Sequence, residues 1–371
     1  FSFDVLEIEE IRRELIGVLR GSTDSHEYVF YTYVLFRVPR AVDNHESIVH
    51  AVSACLDMNT LNFEPWIQNN LTCELLNIKG NALLALGRSI EAVTCYSRAI
   101  ELSGDFPEYY INRGYGYFRL QQHHLAINDL SKGIELHSRA EIPSAKLCCI
   151  REKRAICHKS TNQLELAIID FTFVLRYQPT NINSYLHRAD CLSKLGKCRE
   201  AIEDLKIVVK HRPSDDSVLN KLALNYIRIQ DYDNASVYAR QALTIHPTGW
   251  ARMFLAQIYF QRKQYLEALE EFTKELSINR CALALYLRGM CSEKLGMTEK
   301  AASDYEDALD LDRNQSATWF RLSVIYKDQD RGIESLAFAT RALELCNSVS
   351  FRDHYECCKD TVIKSSCGVF W

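Results

Sequence analysis

Proline and glycine are scarce in this chain, with seven and fourteen among 371 residues. A β-rich or loop-rich fold of that length draws on both more heavily, because tight turns need a fixed or left-handed backbone. Long hydrophobic runs are missing too: nothing approaches the ~18–20 apolar residues that span a bilayer as a helix. The start, Phe1-Ser2-Phe3-Asp4, lacks the basic-then-apolar layout of a secretory leader. A soluble, cytoplasmic protein without membrane insertion is therefore expected, and the missing initiator Met points to a segment of a longer product. No charge sign dominates, since 44 basic and 48 acidic residues leave a net −4. That balance fits poorly with a protein whose main task is neutralising phosphates, so no nucleic-acid partner is expected. No phosphate-cradling glycine loop, Gly-x-Ser-x-Gly elbow or His-Glu-x-x-His pair occurs, so no catalytic residue or cofactor is expected. In the tail, His354, Cys357, Cys358 and Cys367 hold metal-ligand chemistry, but adjacent cysteines are poorly spaced for a tetrahedral site, and no metal is expected.

What the chain does have is repetition. A small residue recurs at Ala92, Ala126, Ala167, Ala201, Ala235, Ala268, Ala301 and Ser335, in steps of 34, 41, 34, 34, 33, 33 and 34. Twelve residues before each stands a second one: Gly80, Gly114, Ala155, Ala189, Ala223, Ala256, Gly289 and Ser323. Two close-contact points per unit are what a stack of αα-hairpins requires, since a larger side chain at either would force the paired helices apart. A space-filler follows four residues after the anchor (Tyr96, Leu130, Phe171, Leu205, Phe272, Tyr305). Pro179, Pro213 and Pro247 stop second helices, and Gly87, Gly196 and Gly296 punctuate turns inside hairpins. Of fourteen cysteines, Cys157, Cys191 and Cys291 share one slot of the repeat, where neighbouring units carry Ala82 and Gly116. They read as small buried residues rather than redox or metal groups.

At this point the chain resembles the tetratricopeptide repeat family. Trp319-x2-Leu322-Ser323-x2-Tyr326 reproduces its first-helix pattern, and Ala92-x3-Tyr96-x2-Ala99 and Ala301-x3-Tyr305-x2-Ala308 its second. The resemblance implies an all-α, right-handed superhelical solenoid of about eight helix-turn-helix repeats with a concave groove lined by first helices. The expected organisation is an N-terminal helical cap with a degenerate repeat over 1–72, eight repeats over 73–347 and a tail over 348–371. The cap includes an amphipathic helix over Asp4–Arg20 and an apolar stretch Tyr28–Val38 that we read as half of a hairpin. The tail Cys346–Trp371 is read as partly helical at best. The one long step marks a seven-residue insertion around His137–Ala145.

Four units carry Arg just before the first small residue and Asp sixteen residues later: Arg113/Asp129, Arg154/Asp170, Arg188/Asp204 and Arg288/Asp304. The other four lack both members. This all-or-none pattern predicts an ion pair joining the two helices of each hairpin.

The groove column two residues before the first small residue reads Ile78, Asn112, Lys153, His187, Lys221, Phe254, Leu287 and Arg321, flanked by Asn81, Asn183, Asp190 and Asn220. Asparagines there can bond the backbone of an extended peptide, and lysines can meet acidic groups. In repeats six and seven, Trp250, Met253, Phe254, Leu283, Tyr286, Leu287 and Met290 make an apolar wall that suits an amphipathic helix or equally the chain's own closure. The resemblance also brings a precedent, a carboxylate clamp for heat-shock chaperone tails. Asn81 and Asn112 match two of its five residues and Lys153 stands for its Arg, but Asn77 and Cys149 replace both lysines, so the clamp is not expected. The leading expectation is a non-enzymatic scaffold or adaptor for other proteins, within an assembly such as a ciliary or cytoskeletal one. A co-chaperone or cargo receptor reading C-terminal peptides is the alternative.

Overall fold

The structure, a computed structural model, describes residues 45–57, 65–103, 106–137, 144–247, 249–346 and 348–367. Among them are eighteen α-helices and no strand. After α1 (His45–Asp57) come α2 (Pro65–Ala85), α3 (Ser89–Leu102), α4 (Pro107–Arg119), α5 (His123–His137), α6 (Ser144–Ser160), α7 (Leu164–Tyr177) and α8 (Ile182–Lys194). There follow α9 (Cys198–His211), α10 (Asp216–Arg228), α11 (Tyr232–Ile245), α12 (Trp250–Gln261) and α13 (Tyr265–Leu276). The last five are α14 (Ala282–Lys294), α15 (Thr298–Leu311), α16 (Ser316–Asp328), α17 (Gly332–Leu345) and α18 (Val349–Cys367). The expected helix over Asp4–Arg20, the Tyr28–Val38 stretch and most of the insertion lie outside the described residues.

The chain divides into two compact units, one ending at Gly196 and the next starting at Lys197. In the first, α2/α3, α4/α5 and α6/α7 pair as hairpins, with α1 against α2 and α8 against α7. In the second, α9 packs on α10, then α10/α11, α12/α13, α14/α15 and α16/α17 pair, and α18 packs on α17. The tail thus departs from the sequence reading. Val349–Cys367 is one helix, and it places Cys358, 1% exposed, with its Sγ 3.2 Å from Ser335 Oγ. That site recurs about one repeat length after Ser323, so α18 packs as a further first helix would.

The hairpin is built from three local decisions. Seven residues after each first small residue the backbone is left-handed: Gly87, Gly196 and Gly296, but also Gln121, Asn162, Gln230, Lys263 and Asp330 at φ of 59–63°. Glycine takes this conformation freely, and the other five absorb a cost of roughly 1–2 kcal/mol each because the turn is held by helices on both sides. Pro179, Pro213 and Pro247 stand two residues past the ends of α7, α9 and α11, where no helical N–H is required. The anchors Ala92, Ala126, Ala167, Ala201, Ala235, Ala268 and Ala301 are all 0% exposed, as is Ser335.

At the first small position, contact is tightest where it is glycine. A Cβ on Gly80 or Gly289 would lie 2.6 Å from the ring of Tyr96 or Tyr305, and one on Gly114 would lie 2.9 Å from the Leu130 side chain. Tyrosine fills the space-filling slot only opposite glycine. In repeats five and eight that slot is Ala239 or Ala339, and the filler moves one residue earlier. Tyr238 stacks on Tyr226 with centroids 5.6 Å apart, and Phe338 stacks on Tyr326 at 5.3 Å.

Those two repeats carry Leu222/Tyr238 and Leu322/Phe338 where others carry Arg and Asp. In the repeats with charges, Arg113 Nε donates to Asp129 at 2.7 Å, Arg154 Nε to Asp170 at 2.7 Å and Arg288 Nη2 to Asp304 at 2.6 Å. Arg188 and Asp204 belong to different units, and their pairing stays an expectation. The arginine also reaches backwards: Arg113, Arg154 and Arg188 each donate from Nη1 to a hydroxyl of the preceding repeat, Ser97, Ser131 and Thr172, at 3.1–3.2 Å. The same side chain therefore ties hairpin to hairpin as well as helix to helix. Repeat six solves the problem differently. Leu255 replaces the arginine, and Arg252 instead meets Glu271 at 2.8 Å and sits 3.8 Å from the buried Glu275, both of whose oxygens accept from the Gly249 N–H.

Candidate functional site: the first-helix faces

The expected site residues all lie on first helices, and each unit presents its own face. In the first unit the face is polar and internally bonded. Asn112 Nδ2 donates to Asn77 Oδ1 at 2.8 Å, and the Tyr96 hydroxyl donates to the exposed Asn81 at 2.7 Å. Lys153 Nζ lies 5.5 Å above the centre of the Phe118 ring. His187 stacks on Phe171, with centroids 5.7 Å apart, and its Nδ1 is 3.2 Å from Lys159 Nζ. Lys159 completes an ion pair with Asp190 at 2.7 Å. Each asparagine thus keeps one amide group for a ligand while its other end is oriented by the scaffold. Lys159 and Phe118, six residues past the column, are contributors that sequence reading missed. Their signal was the spacing of six between column and helix end, Asn112 to Phe118 and Lys153 to Lys159.

In the second unit the face begins with Asn220 and Lys221 on α10. Asn220 Oδ1 is buried and has no hydrogen-bond partner among the described residues, leaving an acceptor oriented by packing alone. Asn225, 1% exposed, donates to the Lys221 carbonyl at 2.8 Å, which keeps its amide inside the helix. Beyond it the surface turns apolar. Trp250 is 63% and Leu283 44% exposed, and Phe254 and Leu287 are half-buried beside them. Trp250 and Phe254 stack with centroids 6.1 Å apart. Tyr286 packs on Tyr305 at 5.8 Å, and Met290 packs against the core around Ala302, Tyr305 and Leu322.

Met253 corrects the sequence reading. It is 7% exposed and packs with Ala256, Ala268, Phe272, Ala284 and Cys291, so it belongs between helices and not to the face. The neighbouring Gly249, at φ 91°, sets where α12 begins. The face ends on a polar chain: Arg321 donates to Glu293 Oε1 at 2.9 Å, and the Tyr305 hydroxyl donates to its Oε2 at 2.9 Å. Burial first, and then the Glu293 carboxylate, push the Tyr305 phenol well above its usual range.

The slot cysteines are inert at neutral pH. Cys157, Cys191 and Cys291 are 0% exposed, and burial pushes their thiols up to about 11, 11 and 12. Among the described residues no group of three His, Cys, Asp or Glu side chains is arranged to hold a metal ion. None of the described helices is long and apolar enough to cross a membrane.

Comparison with known proteins agrees with this architecture. Residues 80–121 match a family model described as TPR repeat, and residues 228–308 one described as anaphase-promoting complex, cyclosome, subunit 3. The chain carries tetratricopeptide repeats. Among relatives, human tetratricopeptide repeat protein 6 is 24% identical over 194 residues, covering 51% of this chain and 37% of that protein. Mouse sperm-associated antigen 1 is 25% identical over 300 residues, covering 77% of this chain and 32% of the relative. Dynein axonemal assembly factor 4 of Pongo pygmaeus is 32% identical over 114 residues, which is 29% of this chain and 26% of that protein. The chain thus spans about a third of the length of the curated relatives it matches. A tetratricopeptide repeat protein from Parabacteroides merdae superposes with a TM-score of 0.55 at 18% identity, covering 68% of this chain and 98% of that one. Its likeness, at that identity, is one of fold. A fold of this kind supports a protein-interaction scaffold role.

Proposed function

We propose that this chain is a non-enzymatic adaptor that grips segments of partner proteins on its first-helix faces, with the apolar face of repeats six and seven as the principal site. The observation that carries this is the exposure of Trp250 and Leu283 beside half-buried Phe254 and Leu287. Four large apolar side chains held by a rigid pair of helices are a poor surface to leave wet, and they suit an amphipathic helix laid across them. Tyr286 and Met290 support the wall from behind. The relatives named for axonemal dynein assembly support a partner drawn from a ciliary or cytoskeletal assembly, with work in the cytoplasm.

The test uses the two most exposed members, because their loss leaves the core intact. Affinity capture from ciliated-cell extract, with quantitative mass spectrometry, is compared between the wild-type chain and Trp250→Glu/Leu283→Glu. The candidate partner is then titrated against both purified chains. Selective loss of a partner, with direct binding weakened at least tenfold, is expected. An unchanged partner set at unchanged helicity refutes the apolar face as the main site.

A second reading rests on Lys153, which has an aromatic neighbour and no ion-pair partner among the described residues, close in the repeat register to Asn81 and Asn112. It is recognition of C-terminal peptides, and binding that survives amidation of the peptide carboxylate rules it out.

A further inference from the structure

Helix α7, Leu-Glu-Leu-Ala-Ile-Ile-Asp-Phe-Thr-Phe-Val-Leu-Arg-Tyr, is apolar on both sides. Its inward residues Leu164, Ala167, Phe171, Val174 and Leu175 are buried, as the hairpin requires. Yet Leu166, Ile169 and Tyr177 remain 48%, 59% and 51% exposed on the opposite side, with half-buried Phe173 among them. These four recur at steps of three, four and four residues, which lines them up along one helix face. The repeat does not require this. One repeat earlier, the corresponding places on α5 hold Leu125, Asn128 and Lys132 in place of Leu166, Ile169 and Phe173. The stripe lies away from the first-helix face, so the proposed adaptor site leaves it uncovered.

The charges beside the stripe say what fits it. Glu165 and Arg176 are both exposed, neither has an ion-pair partner among the described residues, and both lie on the same flank of the stripe, one at each end. In an antiparallel helix pair, like flanks face each other. A second α7 laid antiparallel, with the two-fold axis near residue 171, sets Ile169 against Phe173 and Leu166 against Tyr177. It also sets Glu165 against Arg176, twice. The face is complementary to itself in the placement of its apolar and charged residues, which is the property an isologous two-fold contact needs. We propose that a second copy of this chain docks antiparallel on the α7 stripe. One helix of fourteen residues is about 21 Å long and offers less than the ~800 Å² per partner of a standard stable interface. The dimer is therefore weak, with a dissociation constant on the order of 100 µM, and forms where the protein is concentrated or held on a shared assembly.

Sedimentation velocity on the full chain, over a concentration series reaching on the order of 500 µM, reads this directly. Monomer and dimer in concentration-dependent exchange are expected. Ile169→Glu, at an exposed position that leaves the core untouched, should weaken dimerisation by about tenfold or more. Glu165→Arg should weaken it by about threefold to tenfold, and adding Arg176→Glu should restore it. Circular dichroism confirms that helicity is unchanged in each variant. Three results overturn the proposal. One is a monomer at every concentration, meaning that another protein or the chain's own residues cover the stripe. The others are a dimer indifferent to Ile169→Glu and a double reversal as weak as the single one.

Discussion

Replacing Asp170 by alanine should be among the most damaging single changes in the array. Its side chain is 2% exposed and receives three charge-assisted hydrogen bonds: Arg154 Nε at 2.7 Å, Arg154 Nη2 at 2.8 Å and Arg151 Nη1 at 3.0 Å. Both guanidinium groups are themselves mostly covered, at 17% and 22% exposure, and Arg151 is held 4.1 Å from the centre of the Phe173 ring. Removing the carboxylate leaves two positive charges with no counter-charge and no easy route to water. Breaking a buried pair in this way costs roughly 3–5 kcal/mol. An exposed pair such as Arg331–Glu334, with both members near half-exposed, contributes far less, because water and salt screen it. A loss of roughly 3–5 kcal/mol lowers the melting midpoint by roughly 6–20 °C. Repeat arrays open locally, so hydrogen exchange resolved to α6 and α7 is the sharper assay, with exchange there accelerating by on the order of 10²–10⁴. The chain itself contains the control. Repeat five carries Leu219, Leu222 and Tyr238 where repeat three carries Arg151, Arg154 and Asp170. Installing those three together should recover most of the loss, since a packed apolar set can replace a buried ion cluster. Should Asp170→Ala cost less than ~1 kcal/mol, the pairs behave as exposed ones do, and the hairpins are held by their apolar contacts alone.

Two other outcomes follow from packing and burial. Gly289→Ala forces a methyl to within 2.6 Å of the Tyr305 ring and should destabilise by about 1–3 kcal/mol in urea unfolding, whereas pairing it with Tyr305→Leu should relieve part of that strain. An equal loss in the single and double variants would show that the glycine is not there for the ring. The thiols of Cys157, Cys191 and Cys291, raised by burial from 9 to about 11, 11 and 12, stay protonated in the folded chain after unfolded chains have begun to lose that proton. Their contribution to stability is therefore complete below about pH 9 and is lost as pH rises through about 11–12. Thiol titration at about pH 8 should accordingly find exposed Cys149, Cys346 and Cys357 fast and these three silent until alkaline unfolding releases them. Rapid labelling of Cys191 in the folded protein would contradict the assignment.

Much of this protein was written in one dimension. The repeat period, the small contact points, the turn glycines and the Arg–Asp spacing are local relations between residues at most a hairpin apart. A helix pair translates such spacings into contacts with almost no freedom. For that reason the inward slots of Cys157, Cys191 and Cys291 were legible from spacing alone. What only the tertiary structure decided were relations in which the same spacing permits several geometries. Arg113 and Arg154 turned out to reach the hydroxyls of Ser97 and Ser131 in the preceding repeat. Repeat six rebuilt its ion pair from Arg252 and Glu271, three residues away from the usual arginine. Met253 rotated into the core while Trp250, three residues earlier on the same helix, stayed 63% exposed. The physical reason is common to all three: periodicity says which face of a helix a residue occupies, but the neighbouring helix decides whether that face is covered.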